Sequence, residues 1–161
     1  MEQLIVGKSL EMQLAALLDT LPSDATVSYM VTRLNEGEEA TIVASSKETI
    51  VHTGASMVKT LILEYVFHLA AQEQLDLNDT LALSRSPRVE GAGALMELVG
   101  NHSFSYLELC RLMMVLSDNW ATNLLIQALG MENINARAEQ LGLEHFEINR
   151  MMMDFTAVKE N

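Results

Sequence analysis

Strand chemistry is confined to two neighbouring segments of this 161-residue chain. Residues Ala25 to Leu34 are rich in β-branched side chains, Asn35-Glu36-Gly37 offers a turn, and Ala40-Thr-Ile-Val-Ala-Ser45 resumes the strand pattern. Together they predict one hairpin. An isolated hairpin is marginal in water, so this one needs a helix or further strands to pack on. The rest of the chain reads as helix. Between Leu4 and Leu21 the residues Leu10, Leu14, Leu17, Leu18 and Leu21 recur at spacings of three and four, and Pro22-Ser23-Asp24 marks a stop. After a break at Gly54, Ser56 to Gln74 reads as a long, mostly buried helix carrying Leu61, Leu63, Val66, Phe67 and Leu69. Residues Asp76 to Gly93 read mainly as loop, with Gly91-Ala-Gly93 at its end. Ser105-Tyr-Leu-Glu108 then forms a capping box ahead of Leu109, Leu112, Met113 and Leu116. Trp120 to Leu129 makes a helix stopped by Gly130, and Met131 to Leu141 another closed by Gly142. The expected class is α/β of the α+β kind. Residues 1–50 hold a helix and two strands, and 51–161 form a helical region.

Composition narrows the function classes. With 49% hydrophobic and 20% charged residues the chain supports one main core. Ten basic side chains against 22 acidic ones give a formal charge of −12, so no basic surface is available for a phosphate backbone or an anionic membrane. No nucleic-acid partner is expected. No apolar run approaches the roughly 20 residues of a membrane-spanning helix. Glu2 and interspersed charges make the N-terminus unlike a secretion signal, which sets a cytoplasmic location as the expectation, with an exported form whose signal has been removed as the alternative. The one cysteine, Cys110, sits in an apolar helical context and cannot form an internal bridge. His52, His68, His102 and His145 form no pair at metal-ligand spacing, so no metal is expected.

Two polar clusters interrupt the apolar helices: Ser56-Met-Val-Lys59 and Ser117-Asp118-Asn119. Positions i and i+3 of a helix are neighbours, so the Lys59 amine can approach the Ser56 hydroxyl. A lysine in a partly desolvated site has its pKa lowered and can take a proton from serine, which activates a nucleophile that is otherwise weak. Ser56 also begins its helix, where backbone N–H groups and the positive dipole end stabilise an oxyanion. Each cluster has a plainer reading as a helix cap or turn. Their conjunction, about sixty residues apart on apolar helices, favours chemistry.

In this order and separation, Ser56-Met-Val-Lys59 and Ser117-Asp118-Asn119 resemble the first two signature motifs of class A β-lactamases and penicillin-binding proteins. Tyr29 to Leu34, the turn at Asn35-Glu36-Gly37, Gly54-Ala-Ser56 and Leu116-Ser-Asp-Asn-Trp-Ala-Thr-Asn123 agree with that likeness, which runs from about Leu14 to Asp154. It implies a β-lactamase/transpeptidase-like fold and a serine hydrolase working on β-lactams or related amides and esters without a cofactor. Ser56 would be the acylated nucleophile and Lys59 its proton acceptor. Ser117 would relay a proton to the leaving nitrogen, and Asn119 would bind the substrate's amide side chain. Asp118 would hold the loop in shape, Asn123 would prop the loop that carries the deacylating base, and Arg150 would anchor that loop by a salt bridge.

Two departures accompany the resemblance. The family's Lys-Thr-Gly or Lys-Ser-Gly strand, which supplies a second oxyanion N–H, does not occur between Ser117 and Asn161; His52-Thr-Gly54 lies upstream of Ser56. The expectation is an N-terminal part of a larger protein, its C-terminal sheet strands absent from this chain and supplied by a complementary fragment or a second copy. Where class A enzymes carry a glutamate two residues after the anchoring arginine, this chain has Met152, which accepts no proton. Asp154 is either a substitute base after a local shift or a loop or surface acid. A non-catalytic or acylation-only chain is the alternative reading. The methionine-rich run Met151-Met-Met153 is either core filler or the wall of an apolar substrate pocket.

Overall fold

A computed structural model describes residues 9–34, 37 and 40–156. The predicted turn residues Asn35 and Glu36, and the start of the predicted first helix before Ser9, lie outside the described residues.

The chain divides into two compact units, residues 1–52 and 53–161. In the first, α1 (Leu10–Leu18) is capped by Ser9, whose hydroxyl accepts from the Met12 N–H. It ends three residues earlier than the leucine spacing predicts. Strands β1 (Tyr29–Arg33) and β2 (Thr41–Ser46) pair antiparallel from Tyr29↔Ser46 to Arg33↔Thr41, with a bulge between Val31 and Thr32. The predicted hairpin is therefore present. Ala44 is the one buried hydrophobic among this unit's described residues, while Leu17 and Ile42 stay 62% and 56% exposed. Burial of apolar area is what stabilises such an element, and here little is buried.

The second unit holds the core. A 3-10 turn (Ala55–Met57) runs directly into α2 (Val58–Ala71), followed by β3 (Thr80–Ala82), β4 (Ser103–Ser105), α3 (Tyr106–Val115), α4 (Asn119–Leu129) and α5 (Met131–Gln140). The region read as helix and loop contains a second antiparallel ladder, β3–β4, with Thr80 opposite Ser105. Strands of three residues carry too little alternation to be read from sequence. The capping box forms as predicted: Ser105 Oγ accepts from the Glu108 N–H, and the Glu108 carboxylate accepts from the Ser105 N–H. Helix α4 is buried at every position from Asn119 to Ile126, which makes it the central element. Around it Ile62, Val66, Leu109, Met113 and Ile134 are fully enclosed. An ion pair between Glu64 and Arg137, with Nε to Oε2 at 3.0 Å, ties α2 to α5.

Phe67, expected on the buried face of α2, is 44% exposed. The buried stripe instead runs through Lys59, Ile62 and Val66, positions three and four apart. A lysine thus takes a core-facing position. Among the described residues no helix is long and apolar enough to cross a membrane, and no three His, Cys, Asp or Glu side chains are placed to hold a metal ion.

Candidate active site

The 3-10 turn that carries Ser56, the first turn of α2 that carries Lys59 and the α3–α4 junction deliver the two polar clusters to one place; Ser56 thus stands two residues ahead of α2 rather than at the predicted start of the helix. Lys59 Nζ lies 3.4 Å from Ser56 Oγ, 2.8 Å from Ser117 Oγ, 2.7 Å from the Ser117 carbonyl and 3.0 Å from Asn119 Oδ1. Ser117 Oγ is 3.3 Å from Ser56 Oγ. The Ser117 carbonyl and Asn119 Oδ1 can only accept, so they occupy two Lys59 N–H groups. The third direction of the amine faces the two hydroxyls. In neutral lysine that direction is the lone pair, placed to receive a proton from serine.

Lys59 is 3% exposed, whereas Ser56 is open to solvent. Desolvation holds the Lys59 amine below the ordinary lysine pKa, and the Asp118 carboxylate partly opposes the shift. Asp118 is itself enclosed and accepts three backbone N–H groups: Ala94 at 2.7 Å and Leu95 at 2.8 Å on Oδ2, and Ala121 at 2.9 Å on Oδ1. It caps α4 and pins the 94–95 turn, so it acts on the site by holding the backbone around it. The backbone is strained at two positions here. Ala55, preceding Ser56, has φ 42°, and Ser117 has φ 54°, both in the left-handed region disfavoured for side chains with a Cβ.

The Gly91-Ala-Gly93 run lies against this junction. A Cβ at Gly91 would stand 2.9 Å from Asn119 Nδ2 and 3.5 Å from the Met153 side chain, so glycine leaves the Asn119 amide room. Because Asn119 Oδ1 receives Lys59, its Nδ2 faces that side.

Asn123 sits beneath the Met152 segment. Its Nδ2 donates to the Met152 carbonyl at 3.1 Å, and its Oδ1 accepts the Met152 N–H at 2.7 Å. Arg150 donates to the Asp154 main-chain carbonyl at 3.2 Å and lies over the Phe155 ring. Asp154 Oδ1 accepts from the backbone and hydroxyl of Thr156. A cavity of about 550 Å³ opens beside this segment, its apolar wall made by Met151, Met152, Met153 and Phe155 and its polar side by Arg88 and Glu90 among others; Ser56, Lys59, Ser117 and Asn119 do not line it.

Gly93, in the run that reads as loop, makes room for the Asp118 carboxylate. Two contributors escaped the sequence reading: Trp120 Nε1 donates to the Ser86 carbonyl at 3.2 Å, and Asn135 grips Ile148, both pairings that only the fold creates.

The sequence matches the family described as "Beta-lactamase enzyme family" over residues 9–161. Beta-lactamase BRO-1 of Moraxella catarrhalis is 30% identical over 97 residues, 56% of this chain and 31% of the relative. Among solved structures, PBP-A superposes with a TM-score of 0.73 at 26% identity, covering 92% of this chain and 54% of PBP-A. A PBP-A variant solved as an acyl-enzyme complex with penicillin G gives 0.73 at 27% identity, covering 92% and 55%. A β-lactamase from Sphaerobacter thermophilus gives 0.66 at 26% identity, covering 76% and 45%. The chain therefore spans under a third of that curated relative and about half of these solved ones.

Proposed function

This chain belongs to the beta-lactamase enzyme family, and on that premise we propose that it carries the acylating machinery of a serine hydrolase of the β-lactamase and penicillin-binding type. The observation that carries the reading is the convergence of Lys59 Nζ on Ser56, Ser117 and Asn119 within 3.4 Å. Ser56 Oγ attacks the carbonyl of a β-lactam or related amide or ester. Its proton passes to Lys59, and the shorter contacts favour the path through the Ser117 hydroxyl over the direct one. The carbonyl oxygen, now negative, faces the N-terminal end of α2. The proton then returns from Lys59 through Ser117 to the leaving nitrogen as the C–N bond breaks, which leaves an acyl-Ser56. Asn119 Nδ2 donates to a carbonyl on the substrate's side chain.

Hydrolysis of the acyl-enzyme is the slow step in this reading. Met152 offers no lone pair basic enough to activate water, and Asp154 is assigned to capping its own turn at Thr156. The solved acyl-enzyme of a PBP-A variant with penicillin G agrees with such an intermediate.

The test is turnover of a chromogenic cephalosporin or thioester by the wild-type chain and by Ser56→Ala. Release of chromophore that the substitution abolishes supports the reading. Equal release by both chains removes Ser56 from the mechanism.

A further inference from the structure

Two asparagines on different helices hold the same stretch of chain. Asn123 of α4 makes paired hydrogen bonds to the N–H and carbonyl of Met152. Asn135 of α5 does the same at Ile148, donating Nδ2 to its carbonyl at 2.9 Å and accepting its N–H on Oδ1 at 2.8 Å. A side-chain amide bonded to both polar groups of one residue fixes that residue's direction as well as its position, as a neighbouring strand would. The gripped residues are four apart, so at roughly 3.4 Å per residue neither can move far without pulling the other. The Ile148 side chain is also buried at 6% exposure, which anchors the upstream end in the core.

The geometry points to Asn135 as a positioning residue of the candidate site. Asn135 and Asn123 act as one coupled clamp on residues 148–152, and the clamp sets the direction in which the side chain at position 152 projects. The link to catalysis rests on the acyl-serine reading, but the mechanical coupling does not. Asn135 touches no reacting atom. Its effect is on the fate of the acyl-enzyme, because position 152 is where a deacylating base would stand.

Amide hydrogen exchange and acyl-enzyme kinetics test this together. Replacing Asn135 by Leu keeps the side chain's size and removes both hydrogen bonds. Exchange is expected to rise about tenfold at Met152 as well as at Ile148. In a chain that also carries Met152→Glu, the ratio of deacylation to acylation rate is expected to fall about tenfold. Unchanged exchange at Met152 would mean two independent contacts and would overturn the clamp. Equal losses in both rates would reduce Asn135 to general scaffolding and overturn its positioning role. If the leucine variant does not fold, Asn135→Asp keeps the acceptor, loses the donor, and is read by the same exchange at Met152. Failure of the parent chain to acylate would sink the acyl-serine reading, while the exchange result would still decide the coupling.

Discussion

A Cβ at Gly93 would stand 2.3 Å from the Asp118 carboxylate. The closeness is what lets Asp118 receive the Ala94 and Leu95 N–H groups while it caps α4, and Gly93 also adopts φ 125°, a conformation costly for any other residue. Asp118 is the hinge pin between the Ser117 hydroxyl and the loop in front of it. Gly93→Ala is expected to destabilise the chain by more than about 2 kcal/mol through steric overlap and backbone strain. Thermal unfolding checks this, with a fall of roughly 5 °C or more expected and an unchanged midpoint contradicting it.

Lys59 is expected to set the pH dependence of acylation. Its folded pKa lies below the ordinary 10.5, so the amine sheds its proton more readily in the folded chain than in the unfolded one. The sign follows from linkage: the burial penalty on folding is fully present below the folded pKa and is relieved as pH rises from there towards 10.5. Stability therefore contains a term that increases with pH in that window. Acylation should rise with pH along the same titration, with its midpoint below 10.5. Lys59→Ala should abolish that limb and slow acylation by about a hundredfold or more. A variant that acylates at the wild-type rate would remove Lys59 as the base.

Met152 should limit turnover. Asn123 holds the backbone of Met152 and not its side chain, so Met152→Glu leaves both hydrogen bonds in place while adding a carboxylate. Pre-steady-state kinetics with a penicillin should show deacylation about tenfold faster or more, with acylation little changed. No gain in deacylation would show that residue 152 does not project towards the acyl-enzyme.

Cys110 should be chemically silent. It is 2% exposed, and burial pushes its thiol up to about 11, so the thiolate is scarce at neutral pH. Alkylation by iodoacetamide should require denaturant. Stoichiometric labelling of the native chain would contradict the packing of α3.

How much of this was legible in the sequence depended on whether a residue's partners were local. The hairpin, the Ser105–Glu108 capping box and the helices ended by Gly130 and Gly142 rest on periodicities and caps within a few residues, and they read correctly. The approach of Lys59 to Ser56 followed from i, i+3 spacing. Its contact with Ser117, 58 positions away, has no local signal and is created by the fold. The β3–β4 ladder was missed because three-residue strands have no measurable alternation. Phe67 was misplaced because the apolar residues of α2 extend around the helix, and the true core stripe contains a lysine. Asn135 gave no signal, because its partner lies beyond a turn thirteen residues on.

The central claim is that Ser56 becomes acylated. Intact-protein mass spectrometry after incubation with penicillin G, followed by peptide mapping, tests it most directly. The account predicts a persistent adduct equal in mass to the whole penicillin, located on Ser56 and lost in Ser56→Ala. An unmodified chain, or an adduct that persists in Ser56→Ala, would contradict it.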